Sequence, residues 1–162
     1  MEYILLLTAC INPDGMPFTC LADVGVRKKQ YIEALNFYLK NTTRKIVFVE
    51  NSGTDISSSF KDFQHRIEFL CFDGNLCFDK RKGKGYGEAL ILEYAMAKSE
   101  FITDDVLIFK LTGRLQLINI NRLIHYMDKL SPSKNFVCVV PPQNNSVDSR
   151  SVSYTHLTLP TS

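Results

Sequence analysis

The chain has 162 residues, 45% of them hydrophobic and 22% charged, which suits one soluble globular domain with a core of its own. Nineteen basic residues against 17 acidic ones leave a net charge of +2, too even a balance for a nucleic-acid partner or an anionic membrane surface. No apolar run approaches the ~20 residues needed to span a bilayer, and the five cysteines, an odd number, show no C-x-x-C pair or zinc-like spacing. They read as reduced, mostly buried thiols of a cytosolic protein.

Tyr3 to Cys10 is a continuous apolar run, as expected of a strand buried on both faces of a parallel sheet. Leu7-Thr8-Ala9-Cys10 imitates a lipid-attachment box, but Glu2 stands where a secretory signal needs positive charge, so the run reads as a strand. Asn12 to Gly25 is a loop carrying Pro13, Gly15 and Pro17. Arg27 to Leu39 is a helix, with Tyr31, Ala34, Leu35, Tyr38 and Leu39 at helical spacing. Lys45 to Val49 is a second strand, stopped by Glu50-Asn51-Ser52-Gly53, and Asp55 caps a short helical turn. Ile67 to Phe72 is a third strand, followed by a polar loop from Asp73 to Gly85 and a helix from Gly87 to Lys98. Asp105 to Leu111 is a fourth strand, Asn119 or Asn121 caps a third helix, and Asn135 to Val140 is a fifth strand closed by Pro141-Pro142. Strand and helix alternate throughout, which predicts an α/β fold: a Rossmann-like, mainly parallel sheet flanked by helices.

In such sheets ligands sit at the carboxyl ends of the strands. The polar stretches that fall there are Thr8 to Asn12, Glu50 to Gly53, Asp73 to Gly87 and Lys110 to Arg114. Gly83-Lys84-Gly85-Tyr86-Gly87 opens a helix, and its glycines allow close backbone approach where unpaired N–H groups and the helix dipole converge. With Lys82 and Lys84 beside it, this loop suits a phosphate or diphosphate. An acid at a strand end holds ribose hydroxyls or a base edge in nucleotide-binding α/β folds, which is one reading of Glu50. The other is a turn that satisfies its own backbone, and for Asn51 the turn is the simpler reading. Lys110-Leu111-Thr112-Gly113-Arg114 brings two cations and a hydroxyl to the end of the fourth strand, where a guanidinium can chelate phosphate. Asp73 and Asp79 are weak candidates for a divalent metal, Mg or Mn. No G-x-G-x-x-G follows the first strand, which speaks against a dinucleotide dehydrogenase.

Four stretches together carry a resemblance: Arg27-x-x-Gln30-Tyr31-x-x-Ala34-Leu35, Phe48-Val49-Glu50-Asn51-Ser52, Gly83-Lys84-Gly85-Tyr86-Gly87-Glu88-Ala89 and Lys110-Leu111-Thr112-Gly113-Arg114. From Tyr3 to Ile124 the chain resembles the nucleotide-binding half of bacterial glycosyltransferases of lipopolysaccharide and capsule biosynthesis, which are similar to the A-type glycosyltransferase fold. The resemblance implies a cytoplasmic enzyme at the inner face of the membrane, in peripheral contact with it. It would move a sugar from a nucleotide-sugar donor to a glycan or lipid-linked glycan acceptor. On this reading Thr8, Glu50, Asn51, Lys84, Gly85, Tyr86, Gly87 and Thr112 contact the donor nucleotide and diphosphate. Lys110 and Arg114 are the catalytic cations, and they stand where commoner relatives carry a metal-binding Asp-x-Asp. The acceptor-binding half would be missing. Alternatives are a sugar nucleotidyltransferase and a non-catalytic nucleotide- or glycan-binding module.

The last residues differ in kind. Val152 to Thr161 resembles a translated sequencing adapter, with Ser151 in the same frame. The expectation is therefore an incomplete domain over residues 1–150 and a non-native tail over 151–162 that joins no sheet. A second expectation is that Glu50, Lys84, Lys110 and Arg114 surround one cleft.

Overall fold

A computed structural model describes residues 2–16, 19–74, 79–129, 136–139 and 148–154. The strands are β1 (Glu2–Ala9), β2 (Lys45–Glu50), β3 (Ile67–Cys71), β4 (Val106–Thr112), β5 (Phe136–Val139) and β6 (Asp148–Tyr154). The helices are α1 (Val24–Asn41), α2 (Gly83–Lys98) and α3 (Ile120–Asp128), with 3₁₀ segments at Ser57–Phe63 and Lys80–Lys82. One six-stranded sheet has the order β3-β2-β1-β4-β6-β5. Its first four strands are parallel, and β6 and β5 add antiparallel pairing at one side. This is an α/β fold with a four-stranded parallel sheet flanked by helices, compatible with a Rossmann-like architecture. Among the described residues, no helix is long and apolar enough to cross a membrane.

The centre of the sheet follows from β1. Its residues from Tyr3 to Ala9 are all buried, so both faces are covered. Side-chain alternation sends Tyr3, Leu5, Leu7 and Ala9 to one face, where they join Tyr31, Ala34, Leu35 and Tyr38 of α1 and Ile120 and Ile124 of α3. Ile4 and Leu6 take the other face and meet Ile91 and Ala95 of α2. Each such buried aliphatic side chain contributes roughly 1.5–3 kcal/mol. The chain order places the switch in winding direction between β1 and β4, where the carboxyl ends of adjacent strands part and leave a crevice.

Several boundaries differ from expectation for local reasons. Helix α1 begins at Val24 because the Asp23 side chain caps it, accepting from the Val26 N–H at 2.8 Å. At the other end of α1, the Arg66 guanidinium donates to the carbonyls of Leu39, Thr42 and Arg44. The 3₁₀ segment Ser57–Phe63 has Ile56 rather than Asp55 at its cap position and no side-chain cap, while Asp55 one residue earlier accepts from the Ser57 N–H at 2.7 Å. Helix α2 begins at Gly83, so the expected glycine-rich loop is its first turn, and Gly85 and Gly87 are helical. The turn is made instead by Gly83 at φ +80°, a left-handed value natural to glycine, directly after the segment capped by Asp79. Asp104 and Asp105 form the turn before β4. Helix α3 starts at Ile120, with Asn121 inside it donating to the Asn41 carbonyl at 2.6 Å.

Two expectations are corrected. Strand β6 runs across the anticipated boundary at residue 150 and pairs Lys110 with Val152 and Ile108 with Tyr154, so residues 152–154 do join the sheet. Ladder bonds are made by main chain, and β4 offered an unpaired edge. The thiols are also less buried than expected: Cys20 is exposed and Cys10 and Cys71 are half-buried, all three free. Cys77 and the Cys138 side chain lie outside the described residues.

Gly113 follows β4 where the sheet opens. A Cβ there would lie 2.8 Å from the Thr8 carbonyl oxygen and 3.2 Å from the Tyr31 ring. Its N–H donates to that same carbonyl at 2.9 Å. Backbone cannot yield as a flexible side chain does, so Gly113→Ala should cost about 1–3 kcal/mol. Urea unfolding checks this, and an unchanged midpoint would show that the close approach is not tight.

Candidate functional site

Strand β1 ends in a chain segment whose polar groups have left the ladder but stay away from water. Side chains from two elements, β2 and α1, satisfy them. The Glu50 carboxylate, at the end of β2, accepts from the Ile11 N–H at 2.8 Å and from the N–H groups of Ser52 and Thr54 at 2.9 Å each. It also takes the Ser52 hydroxyl in a short contact. Arg27, on the first turn of α1 and 6% exposed, donates from Nε to the carbonyls of Cys10 and Ile11 at 2.9 and 3.1 Å. Its Nη1 donates to the Leu21 carbonyl at 3.1 Å, so one guanidinium closes both ends of the loop before α1. The Tyr31 hydroxyl accepts from the Cys10 N–H at 3.0 Å. Burial pushes the Tyr31 phenol up, and it pushes the Cys10 thiol up to about 11 against the opposing pull of Arg27. Cys10 is thus a neutral thiol near pH 7 and no ready nucleophile.

Beside this braced segment lies a cleft of about 610 Å³. Its walls come from the ends of β1, β2 and β4, the loop before α1, and the start of α2. Thr8, Asn51, Lys84, Gly85, Gly87, Thr112 and Arg114 all line it, seven positions singled out in the sequence. The amino end of α2 supplies N–H groups without intrahelical partners. Its cap residue Lys82 makes no side-chain cap bond, and a Cβ at Gly85 would meet nothing within 4 Å. Arg114 Nη1 donates to Gln30 Oε1 at 3.0 Å, while its Nε is buried without a partner. Asn51 is 3% exposed, and its Oδ1 is also buried without a partner.

The remaining candidates lie elsewhere. Glu50, 1% exposed, is consumed by the turn that it holds and does not line the cleft. Alternation explains the exchange of roles with Asn51. Ile46 and Phe48 of β2 face α1, as Glu50 does in the same register, and Val47 and Val49 face α2, the side to which Asn51 belongs. Lys110 is 2% exposed and stands behind the wall, its Nζ 2.5 Å from Glu88 Oε1. It is paired with Glu88, which lines the cleft, so of the expected ring of Glu50, Lys84, Lys110 and Arg114 the cleft lining holds Lys84 and Arg114. Tyr86 is 39% exposed and lies under Lys82, whose Nζ is 4.4 Å from the ring centroid, outside the lining.

Asp79 is held by Arg81 through contacts of 2.8–3.0 Å, which lower its pKa, and Asp73 lies exposed beside Gly53. Among the described residues, no group of three or more His, Cys, Asp or Glu is placed to hold a metal ion. Among the described residues lining the cleft, Glu88 is the one carboxylate, and it is already paired with Lys110.

Sequence reasoning missed Arg27, Tyr31 and Glu88 as contributors here. A buried-face arginine on the first turn of an otherwise amphipathic helix was the available signal for Arg27. No family model matches the chain, and no curated protein matches it.

Glu50→Ala should leave three main-chain N–H groups without their acceptor. The Ile11 N–H is buried and those of Ser52 and Thr54 part-buried, so at roughly 1–3 kcal/mol for a buried unsatisfied group and less for the others the loss should be about 2 kcal/mol or more. Chemical denaturation of the variant measures it. Wild-type stability with lost ligand binding would return Glu50 to a ligand-contacting role.

Proposed function

We propose that the cleft binds the nucleoside diphosphate part of a nucleotide-sugar, and that the protein is a glycosyltransferase acting on a surface-glycan acceptor of the lipopolysaccharide or capsule type. The observation that carries this is the convergence of Lys84, Arg114 and the amino end of α2 on one cleft at the β1/β4 switch point. Lysine offers a point charge, arginine a planar donor fork, and the helix end a set of N–H groups, which together match a diphosphate. Lys84 on α2 and Arg114 in the turn after β4 meet from distant parts of the chain. The buried Asn51 Oδ1 and the Thr8 and Thr112 hydroxyls supply polar contacts for the rest of the ligand.

In the transfer, the bond between the sugar's anomeric carbon and the diphosphate oxygen breaks, and a bond from that carbon to an acceptor hydroxyl oxygen forms. The acceptor's proton is released, and the nucleoside diphosphate leaves with the negative charge. On this reading Lys84, Arg114 and the N–H groups of the α2 first turn offset that charge, since preorganised donors act most strongly on developing charge. Charge neutralisation by side chains replaces what a divalent ion would otherwise do.

Lys84→Ala and Arg114→Ala should each weaken nucleoside diphosphate binding by about 1.5–3 kcal/mol, or roughly ten- to more than a hundredfold. Calorimetric titration with and without EDTA checks this, and chelation should do less than either substitution. Binding abolished by EDTA but unaffected by both substitutions would overturn the reading. Release of free sugar from the donor by the wild-type chain separates a transferase from a module that only binds.

A further inference from the structure

Glu88 is the one acidic side chain among the described residues lining the cleft. It sits one residue after Gly87, on the same helical start that carries Lys84. Its place is fixed from two strands. Lys110 of β4 approaches Oε1 at 2.5 Å, and the Thr8 hydroxyl of β1 donates to the same oxygen at 3.2 Å. A lysine as buried as Lys110 requires a partner charge, and removing that partner is strongly destabilising. That need explains the pair but not its position, because the Glu88 side chain remains 27% exposed in the cleft. A carboxylate only accepts hydrogen bonds, and so do ionised phosphate oxygens. Glu88 therefore repels a phosphate brought against it and welcomes an alcohol. Asn51 lines the same cleft, and its Oδ1 is a second acceptor, buried without a donor.

We propose that Glu88, oriented by Lys110 and Thr8, reads hydroxyl groups on the moiety attached to the diphosphate. It thereby selects a neutral polyhydroxylated ester over a nucleoside triphosphate. The proposal rests on the diphosphate reading of the cleft and adds a filter to it. Lys84 and Arg114 attract any nucleotide. Glu88 rejects a third phosphate and accepts a sugar in its place. Repulsive discrimination of this kind is how a site refuses an abundant close relative of its ligand.

The test compares three ligands of one base, run for both uridine and guanosine: the diphosphate, the triphosphate and the diphosphohexose. Dissociation constants are measured calorimetrically for the wild-type chain, Glu88→Gln and Glu88→Asp. The wild type should bind the diphosphohexose roughly tenfold or more tighter than the triphosphate, the size expected of one charge-assisted hydrogen bond gained and one repulsion avoided. Glu88→Gln should bring the two within about threefold of each other, measured on variant protein whose thermal unfolding transition shows it to be folded, because the change takes the partner charge from Lys110. Glu88→Asp keeps the charge but withdraws it, so it should lose diphosphohexose affinity and still reject the triphosphate. A wild type that binds triphosphate as tightly as diphosphohexose overturns the proposal whatever the variants do. A preference that survives Glu88→Gln also overturns it, while leaving the diphosphate reading intact. Failure of the wild type to bind any of the ligands overturns both.

Discussion

Everything at this cleft depends on how the chain leaves β1. Inside a parallel sheet each strand's N–H and C=O groups are paired by its neighbours, but the strand must end, and here it ends under cover. Cys10 and Ile11 would carry buried, unpaired polar groups if Glu50, Arg27 and Tyr31 did not meet them. Leaving such groups unsatisfied costs more than a good hydrogen bond returns, so these three side chains are committed to architecture. Their commitment fixes the floor from which Thr8 and Asn51 face the cleft, and it holds the start of α1 against the sheet.

The same economy of position separates two carboxylates that look alike in the sequence. Glu50 and Glu88 both lie at the carboxyl end of the parallel strands. Glu50 is enclosed by N–H donors of its own turn, whereas Glu88 faces a buried lysine on one side and the cleft on the other. The first is a structural anion. The second sets the local sign of charge beside Lys84 and Arg114, so the cleft is positive overall with one negative point at its helix wall. An unrelieved positive cleft would take any polyanion. A single carboxylate makes it a discriminating one.

Much of the fold was legible in the sequence because its signals are local and repeated. The uninterrupted apolar run of β1, the helical spacing of Tyr31, Ala34, Leu35 and Tyr38, and the strand-helix alternation each reflect burial on a known face. The cleft was legible in part: Lys84, Thr112 and Arg114 could be placed because strand ends and helix starts face one rim. Glu50 and Lys110 were misplaced because a residue's type does not reveal whether its polar atoms are consumed within the fold. Only the positions of Ile11, Ser52, Thr54 and Glu88 around them decide that. The pairing of residues 151–154 with β4 was equally invisible, since it uses main-chain groups that every sequence possesses.

The central claim is that an anionic nucleotide sits between the amino end of α2 and the end of β4. Amide chemical shifts, followed as a nucleoside diphosphate is titrated into isotopically labelled protein, test it most directly. The account predicts that the largest changes fall on the amides of Gly83 to Glu88 and Thr112 to Arg114, with smaller ones at Thr8 and Asn51. Saturable changes that leave those two segments untouched and map to another face of the sheet would contradict it.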